Sequence, residues 1–136
     1  MSNYKFLIFG SKGMLGSSIV NVLKKKKISY LTSARNGSNF NMDIKSPHLL
    51  KKIFDKNKFK IVVNCSAKID INYCEKNYAE AKKINSDFVK SLCLLSKKHK
   101  FKLVQISTDH VYKGKKLLLN NEKSVVFAIN KYAKTK

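Results

Sequence analysis

The feature that most limits what this chain can fold into lies in residues 4–16, YKFLIFGSKGMLG. An apolar run, Phe6-Leu7-Ile8-Phe9, stops at Gly10; Gly13 and Gly16 follow, and then a helical pattern begins. That order predicts a buried strand, a tight glycine turn and a helix whose N-terminus faces whatever sits above the turn. Such a helix end offers unpaired N–H groups and the positive end of the helix dipole, and so suits a phosphate. Gly10 permits a sharp turn, Gly13 lets backbone approach a pyrophosphate closely, and Gly16 lets the helix pack near the strand. The expected ligand is a dinucleotide. A glycine turn alone is a weak signal, with a purely structural turn as its alternative, and the Gly-x-x-Gly-x-x-Gly spacing is longer than the commonest dinucleotide fingerprint.

The rest of the chain alternates. Ile19, Val20 and Leu23 share one face of a helix expected over 17–26, and ISYLT (28–32) reads as a short strand. Residues 33–45 read as a polar loop, Ser46 as an N-cap and Pro47 as the first residue of a helix reaching about Lys56. FKIVVN (59–64) and FKLVQIS (101–107) are continuous apolar strands, as expected of a parallel sheet covered on both faces. Residues 65–72 read as a loop. Ala81, Ile84, Phe88, Leu92 and Leu95 recur at helical spacing and predict one long helix from Tyr78 to Lys98. An irregular stretch, 109–129, precedes a helical start over Lys131–Lys136. This alternation predicts an α/β fold, a doubly wound parallel sheet with right-handed crossovers, as one domain over residues 1–136. Ligands in such sheets bind beyond the carboxyl ends of the strands, here Gly10, residues 33–35, Asn64–Ala67 and Ser107–Asp109.

Charge narrows the partners. Lys and Arg number 29 against 8 Asp and Glu, a formal net charge of +21. The excess is either a footprint for nucleic acid or a lysine-rich composition spread over solvated faces. The lysines are scattered rather than interleaved with stacking aromatics, as single-strand binders prefer, so nucleic acid is not the expected partner. The charge should instead help to draw anionic cofactors and sugar nucleotides. No apolar run approaches the roughly 18 residues of a membrane span, so no membrane partner is expected. The N-terminal apolar stretch is too short for a signal peptide. Cys65, Cys74 and Cys93 lack metal-ligand spacing; no metal is expected, and they read as free thiols of a cytoplasmic protein.

Two clusters of polar residues fall at the strand ends. After the second strand comes Ser33-Ala34-Arg35, with no carboxylate. An acid there favours NAD, and a basic residue accommodates the extra phosphate of NADP. Arg35 could pair that phosphate bidentately, or be a solvated loop arginine. The reading leans to NADP(H), with NAD(H) open. Asp43, before Ile44, either accepts from an adenine amino group or helps to start the next helix. Tyr132 and Lys136 share one face of a helix. A tyrosine titrates at about 10, and a nearby ammonium lowers that value. Such a tyrosine can hand a proton to a carbonyl oxygen while hydride reaches its carbon, with the Thr108 hydroxyl holding the same oxygen. In a lysine-rich chain the spacing alone says little, and a surface helix pair is its alternative.

Together GSKGMLG, Asp43-Ile44, VVNCSAKIDINYCEKN, INSDFV, STDHVYKG and NKYAKTK resemble, in order and approximate spacing, the extended short-chain dehydrogenase/reductases. Within them the chain is most similar to the dTDP-4-dehydrorhamnose reductase family. STDHVYKG is the most specific part, resembling that family's Ser-Thr-Asp-Tyr-Val-Phe segment, and the likeness covers essentially the whole chain. It implies a Rossmann-type fold and NADPH-dependent reduction of a dTDP-4-keto-sugar in dTDP-rhamnose synthesis. It places Gly10, Gly13, Met14, Leu15 and Gly16 at the cofactor pyrophosphate, Asp43 and Ile44 at the adenine, and Cys65, Ser66 and Ala67 along the cofactor. Thr108, Tyr132 and Lys136 become the catalytic triad, with Lys136 also bonding the nicotinamide ribose. Asp109 would shape the site. Cys65 and Ser66 depart from the family's run of alanines, and His110 stands where the family more often has Tyr. The family continues for roughly as long again, into a domain that grips the nucleotide sugar. Residues 1–136 are therefore expected to be a partial cofactor domain with that C-terminal domain absent. A helix ending at its first turn gains little stability of its own, so if residues 1–136 are the whole product, turnover is expected to be weak or absent. Two other readings stay open: an epimerase or dehydratase of the same family with tightly bound NAD, and a non-catalytic NAD(P)-binding regulatory module. A homodimer is also left open.

Overall fold

Five strands form one sheet in a computed structural model that describes residues 2–44, 47–112, 114 and 119–136. Ser46, the expected N-cap, and Lys113 of the STDHVYKG segment lie outside the described residues. The strands are β1 (Ser2–Phe9), β2 (Tyr30–Ala34), β3 (Phe40–Asn41), β4 (Asn57–Asn64) and β5 (Lys102–Gln105). They lie in the order β3-β2-β1-β4-β5, and every pairing is parallel. The helices are α1 (Met14–Lys25), α2 (Pro47–Lys56), α3 (Ile71–Lys76), α4 (Tyr78–Lys82), α5 (Phe88–His99) and α6 (Lys131–Thr135). From β1 the chain runs outward to β2 and β3, then crosses back to β4. Phe9 pairs with Ser33 on one side and Asn64 on the other, so three chain segments leave the sheet side by side at this reversal. That is the topological switch point, where open sheets of this kind bind ligands.

Side-chain alternation along the strands builds two cores. Leu7 and Phe9 pack on one face with Leu50, Ile53 and Phe54 of α2 and Phe88 and Leu92 of α5. Ile8 and Val63 pack on the other with Leu23 of α1. Rings fix the first core: Phe9 meets Phe88 edge-on at 5.2 Å, and Phe54 stacks on Phe101 at 5.0 Å. Among the described residues no helix is long and apolar enough to cross a membrane.

Several boundaries differ from the sequence expectation, each for a local reason. Helix α1 starts at Met14 rather than Ser17, because Gly13 is its extended N-cap (φ −74°, ψ 168°). Gly16 therefore sits in the first helical turn. Strand β2 starts at Tyr30 rather than Ile28, because the Ile28 N–H donates to the Leu23 carbonyl (3.0 Å) and closes the end of α1. Within the expected polar loop, β3 is a two-residue strand steadied by Ser38, whose Oγ donates to the Phe40 carbonyl (2.9 Å) and accepts from the Ala34 N–H (2.9 Å). The loop expected over 65–72 ends early, at α3, because the Asp70 carboxylate accepts from the Tyr73 N–H (2.9 Å) as an N-cap. The long helix expected over 78–98 is broken by a π-helical turn, Lys83–Asp87, between α4 and α5. That turn includes Asn85, which is buried at 3% exposure.

Candidate functional site

The glycine turn has no room for a side chain at Gly10 or Gly16. Gly10 adopts φ +72°, and its N–H donates to the Ser33 carbonyl (2.9 Å). The Ser11 N–H and hydroxyl reach the same carbonyl, each at 3.3 Å, so the turn is tied to the end of β2. A Cβ on Gly16 would lie 2.2 Å from the Gly10 carbonyl oxygen, and one on Gly10 would lie 2.9 Å from the Cys65 carbonyl carbon and the Ser66 nitrogen. Neither contact can be relieved without moving backbone. Gly13 is different: its Cβ would meet only the Gly10 oxygen, at 3.4 Å. Packing does not require glycine there, but the missing side chain leaves space over the N-terminus of α1. Among the described residues no side chain caps that helix start, so its first-turn amides retain their affinity for an anion. Met14 (90% exposed) and Leu15 (43%) lie in that turn, facing solvent.

A cleft of about 610 Å³ opens over the switch point. Its lining includes Gly10, Gly13, Arg35, Asp43, Ile44, Cys65, Ser66 and Ala67, so the structure gathers these expected cofactor residues around one space. Gly16, Met14 and Leu15 follow directly in α1. Lys12, Lys68, Tyr73, Glu80 and Ile84 complete much of the wall. Lys12 leans over Gly37 (φ +64°), whose Cβ would sit 3.3 Å from the Lys12 Cε. Two cations, Lys12 and Arg35, therefore flank the end of β2. The sequence did not single out Lys12, which is one lysine among many until the fold places it. On the opposite wall Asn64 is fully buried; its Nδ2 donates to Gln105 Oε1 (2.8 Å) and its Oδ1 accepts from the Ser66 N–H (3.0 Å). This fixes the backbone of the 65–67 segment. Farther along, Tyr73 hydrogen-bonds Glu80, and the Lys68 ammonium sits 3.8 Å from the Tyr73 ring centroid.

Thr108, Tyr132 and Lys136 are not among the residues that line this cleft. Thr108 caps a 3₁₀ turn, Asp109–Val111, with its Oγ1 accepting from the His110 N–H (3.3 Å). The Lys136 ammonium donates to the Ile106 carbonyl (2.8 Å), just past β5. It also interacts electrostatically with Cys65, which lines the cleft. Burial lowers the Lys136 pKa, and Cys65 opposes that shift; burial raises the Cys65 pKa, and the Lys136 ammonium opposes it. Tyr132 is 8% exposed, packs with Cys74 and Ala81, and meets the His110 ring edge-on at 5.7 Å.

Helix α6 is only five residues long, yet its neighbours hold it from both ends. Asn130 Oδ1 caps the Ala133 N–H (2.7 Å), and Glu75 Oε1 accepts from the Lys131 N–H (2.7 Å). Asn85 Nδ2 donates to Thr135 Oγ1 (2.9 Å), and the Ser86 hydroxyl donates to the Thr135 carbonyl (2.6 Å). Asn85 also bonds the Lys68 N–H (2.8 Å) and carbonyl (3.0 Å), joining α6 to the cleft wall. Tertiary bonds thus supply what so short a helix lacks by itself. Sequence reasoning missed Asn85 and Glu75. The available signal was Asn85 four residues after Ala81, a polar residue on an otherwise apolar helical stripe.

Comparison with known proteins gives the family and the fold. The family profile described as the RmlD substrate binding domain matches residues 4–136. A dTDP-4-keto-6-deoxy-D-glucose reductase of Streptomyces niveus is 26% identical over 132 residues, which are 97% of this chain and 44% of the relative. The crystal structure of a dTDP-4-dehydrorhamnose reductase from Clostridium acetobutylicum superposes with a TM-score of 0.87 at 32% identity, covering 96% of this chain and 45% of that one. A Bacillus anthracis dTDP-4-dehydrorhamnose reductase, solved with NADP, shares the fold at 22% identity and TM-score 0.87, covering 99% of this chain and 47% of that one. The chain spans less than half the length of these relatives.

Proposed function

The chain belongs to the family of the RmlD substrate binding domain, and from that premise we propose that it carries the NADPH-binding and proton-donating part of a reductase for dTDP-4-keto-sugars. One observation carries this reading. A glycine turn at the N-terminus of α1, with no room for a Cβ on Gly10 or Gly16, shares its cleft with Lys12 and Arg35 and with Cys65, Ser66 and Ala67. The missing side chain at Gly13, whose Cβ would meet only the Gly10 oxygen at 3.4 Å, leaves room over the start of α1 for a closely approaching pyrophosphate. Gly10, Gly13, Met14, Leu15 and Gly16 would hold the pyrophosphate, Asp43 and Ile44 the adenine, and Arg35 with Lys12 the 2′-phosphate. Cys65, Ser66 and Ala67 would wall the nicotinamide half. The name of the Streptomyces niveus relative supports the keto-sugar substrate.

When bound, NADPH supplies the hydride that reduces the sugar ketone. The Tyr132 hydroxyl would donate the proton to the ketone oxygen, and the Thr108 hydroxyl would hold that oxygen in place. The Lys136 ammonium would place positive charge beside the developing alkoxide and reach the nicotinamide ribose. A net charge of +21 favours encounter with both anionic reactants.

Calorimetric titration with NADPH and NADH tests the first part. NADPH should bind more tightly, and Arg35→Ala should weaken NADPH by about ten- to a hundredfold while leaving NADH nearly unchanged, the loss of a charge-assisted bond. A preference for NADH would overturn the cofactor assignment. The second part is tested with a dTDP-4-keto-6-deoxy sugar: Tyr132→Phe should cut turnover by about 10²- to 10⁴-fold. A changed sugar with no net cofactor oxidation would select the epimerase or dehydratase reading. Cofactor binding without ketone reduction, indifferent to Tyr132→Phe, would select a non-catalytic nucleotide-binding role.

A further inference from the structure

His110 and Asn130 form a pair that the proposed reduction does not use. Asn130 is the extended N-cap of α6 (φ −139°, ψ 168°). The Ala133 N–H is a fixed donor, and the Asn130 atom 2.7 Å from it must be the amide oxygen. The amide NH₂ therefore occupies the other position, 3.3 Å from His110 Nδ1. An NH₂ group only donates, so Nδ1 must accept, and the imidazole proton must sit on Nε2. A backbone N–H thus dictates the histidine tautomer through one amide side chain.

The same residue touches two members of the proposed triad, Thr108 and Tyr132. The His110 N–H donates to Thr108 Oγ1 (3.3 Å), and its ring stands edge-on to Tyr132, at 5.7 Å and 77°. The neighbouring Asp109 carboxylate is engaged with the Thr108 hydroxyl, at 3.4 Å. We propose that Asn130 holds His110 as the neutral tautomer protonated on Nε2, and that His110, so held, is a positioning residue that clamps the Tyr132 end of α6 to the turn carrying Thr108. The tautomer follows from the hydrogen bonds alone; its value to catalysis rests on the reductase reading.

Long-range ¹H–¹⁵N correlation spectra of the full chain with labelled histidine read the tautomer directly, with His110 assigned by its loss in His110→Phe. The wild type should show an unprotonated Nδ1. Asn130→Asp keeps a good N-cap but puts an acceptor before Nδ1, and should move the proton onto that nitrogen. A protonated Nδ1 in the wild type, or no response to Asn130→Asp, overturns the proposal. The clamp is read by amide exchange. His110→Phe should speed exchange of the Ala133 and Lys134 N–H groups at least about tenfold, and His110→Asn, whose amide oxygen can replace Nδ1, should restore protection. Equal exchange in all three proteins overturns the clamp. With NADPH and keto-sugar, His110→Phe and His110→Gln should lower kcat about tenfold or more at little-changed KM, while His110→Asn stays near wild type. Rescue by Gln and not Asn would show the ring acting through Nε2, and would overturn the positioning role. A wild type that prefers NADH to NADPH, or binds neither, would sink the cofactor-binding reading on which the reductase assignment rests, while the spectra and the exchange rates would still decide this proposal.

Discussion

Gly13 and Gly16 look alike in the sequence but answer to different forces. A Cβ on Gly16 collides with the Gly10 carbonyl at 2.2 Å, so Gly16→Ala must displace the turn and should cost about 1–3 kcal/mol or more of stability in urea titrations. A Cβ on Gly13 makes an ordinary contact at 3.4 Å, and Gly13→Ala should cost under about 1 kcal/mol while sharply weakening NADPH, because the methyl occupies the phosphate's approach. Equal effects of the two substitutions on both measurements would refute this division. The thiols also differ by place. Cys93 is exposed, whereas burial raises the pKa of both Cys65 and Cys74. Thiolate is the reactive form, so Cys93 should alkylate first at neutral pH, and Cys65 should become reactive only as pH rises past an ordinary thiol's range. Lys136→Met removes the ammonium that opposes burial and should make Cys65 slower still, as peptide mass mapping of alkylated protein would show.

At the scale of elements, α6 shows how a helix too short to stand alone is kept. Its bonds come from α3 through Glu75 and from the π turn through Asn85. Asn85→Ala would strand the Lys68 N–H and carbonyl, with a cost of about 1–3 kcal/mol. It should also speed amide exchange across α6 before the sheet loosens; uniform exchange across both would contradict this. The Lys131–Glu75 ion pair is 3.9 Å long with both side chains nearly half exposed. Glu75→Gln retains an acceptor for the Lys131 N–H, and should cost less than about 1 kcal/mol. The π turn matters for the same reason: it is the segment of the expected long helix that includes buried Asn85.

For the whole molecule, the governing fact is that the order in which strands are added reverses at β1, with β2 on one side and β4 on the other, so that Gly10, the β2 end and Cys65–Ala67 open onto one cleft. A ligand there touches segments far apart in sequence and should stabilise them together. NADPH at a hundred times its Kd should add about 2.7 kcal/mol to the unfolding free energy, measured as a rise in Tm. The charge of +21 should make that affinity depend on salt, falling as ionic strength rises, and falling less for NADH, which lacks the 2′-phosphate. Salt-independent binding would mean that the lysines take no part.

What the sequence determined by itself is local in origin. Phe6 to Phe9, Asn64 at the end of an apolar run, and the helical stripe through Phe88 and Leu92 report burial through periodicity, which neighbouring residues alone determine. Glycine before and within a helix start likewise declares itself, because the need for a missing Cβ is a property of the backbone there. From these the parallel sheet and the place of the cleft were legible. The tertiary structure decided what depends on distant partners. Lys12 becomes part of the site because it crosses Gly37, and Asn85 because Thr135, fifty residues later, needs its amide. The Ile28 N–H serves α1 rather than β2 because a free carbonyl waits at Leu23. His110 takes one tautomer because an amide capping another element faces it. Each of these residue types is common and usually solvated, so only the contact that removes water from it gives it a role.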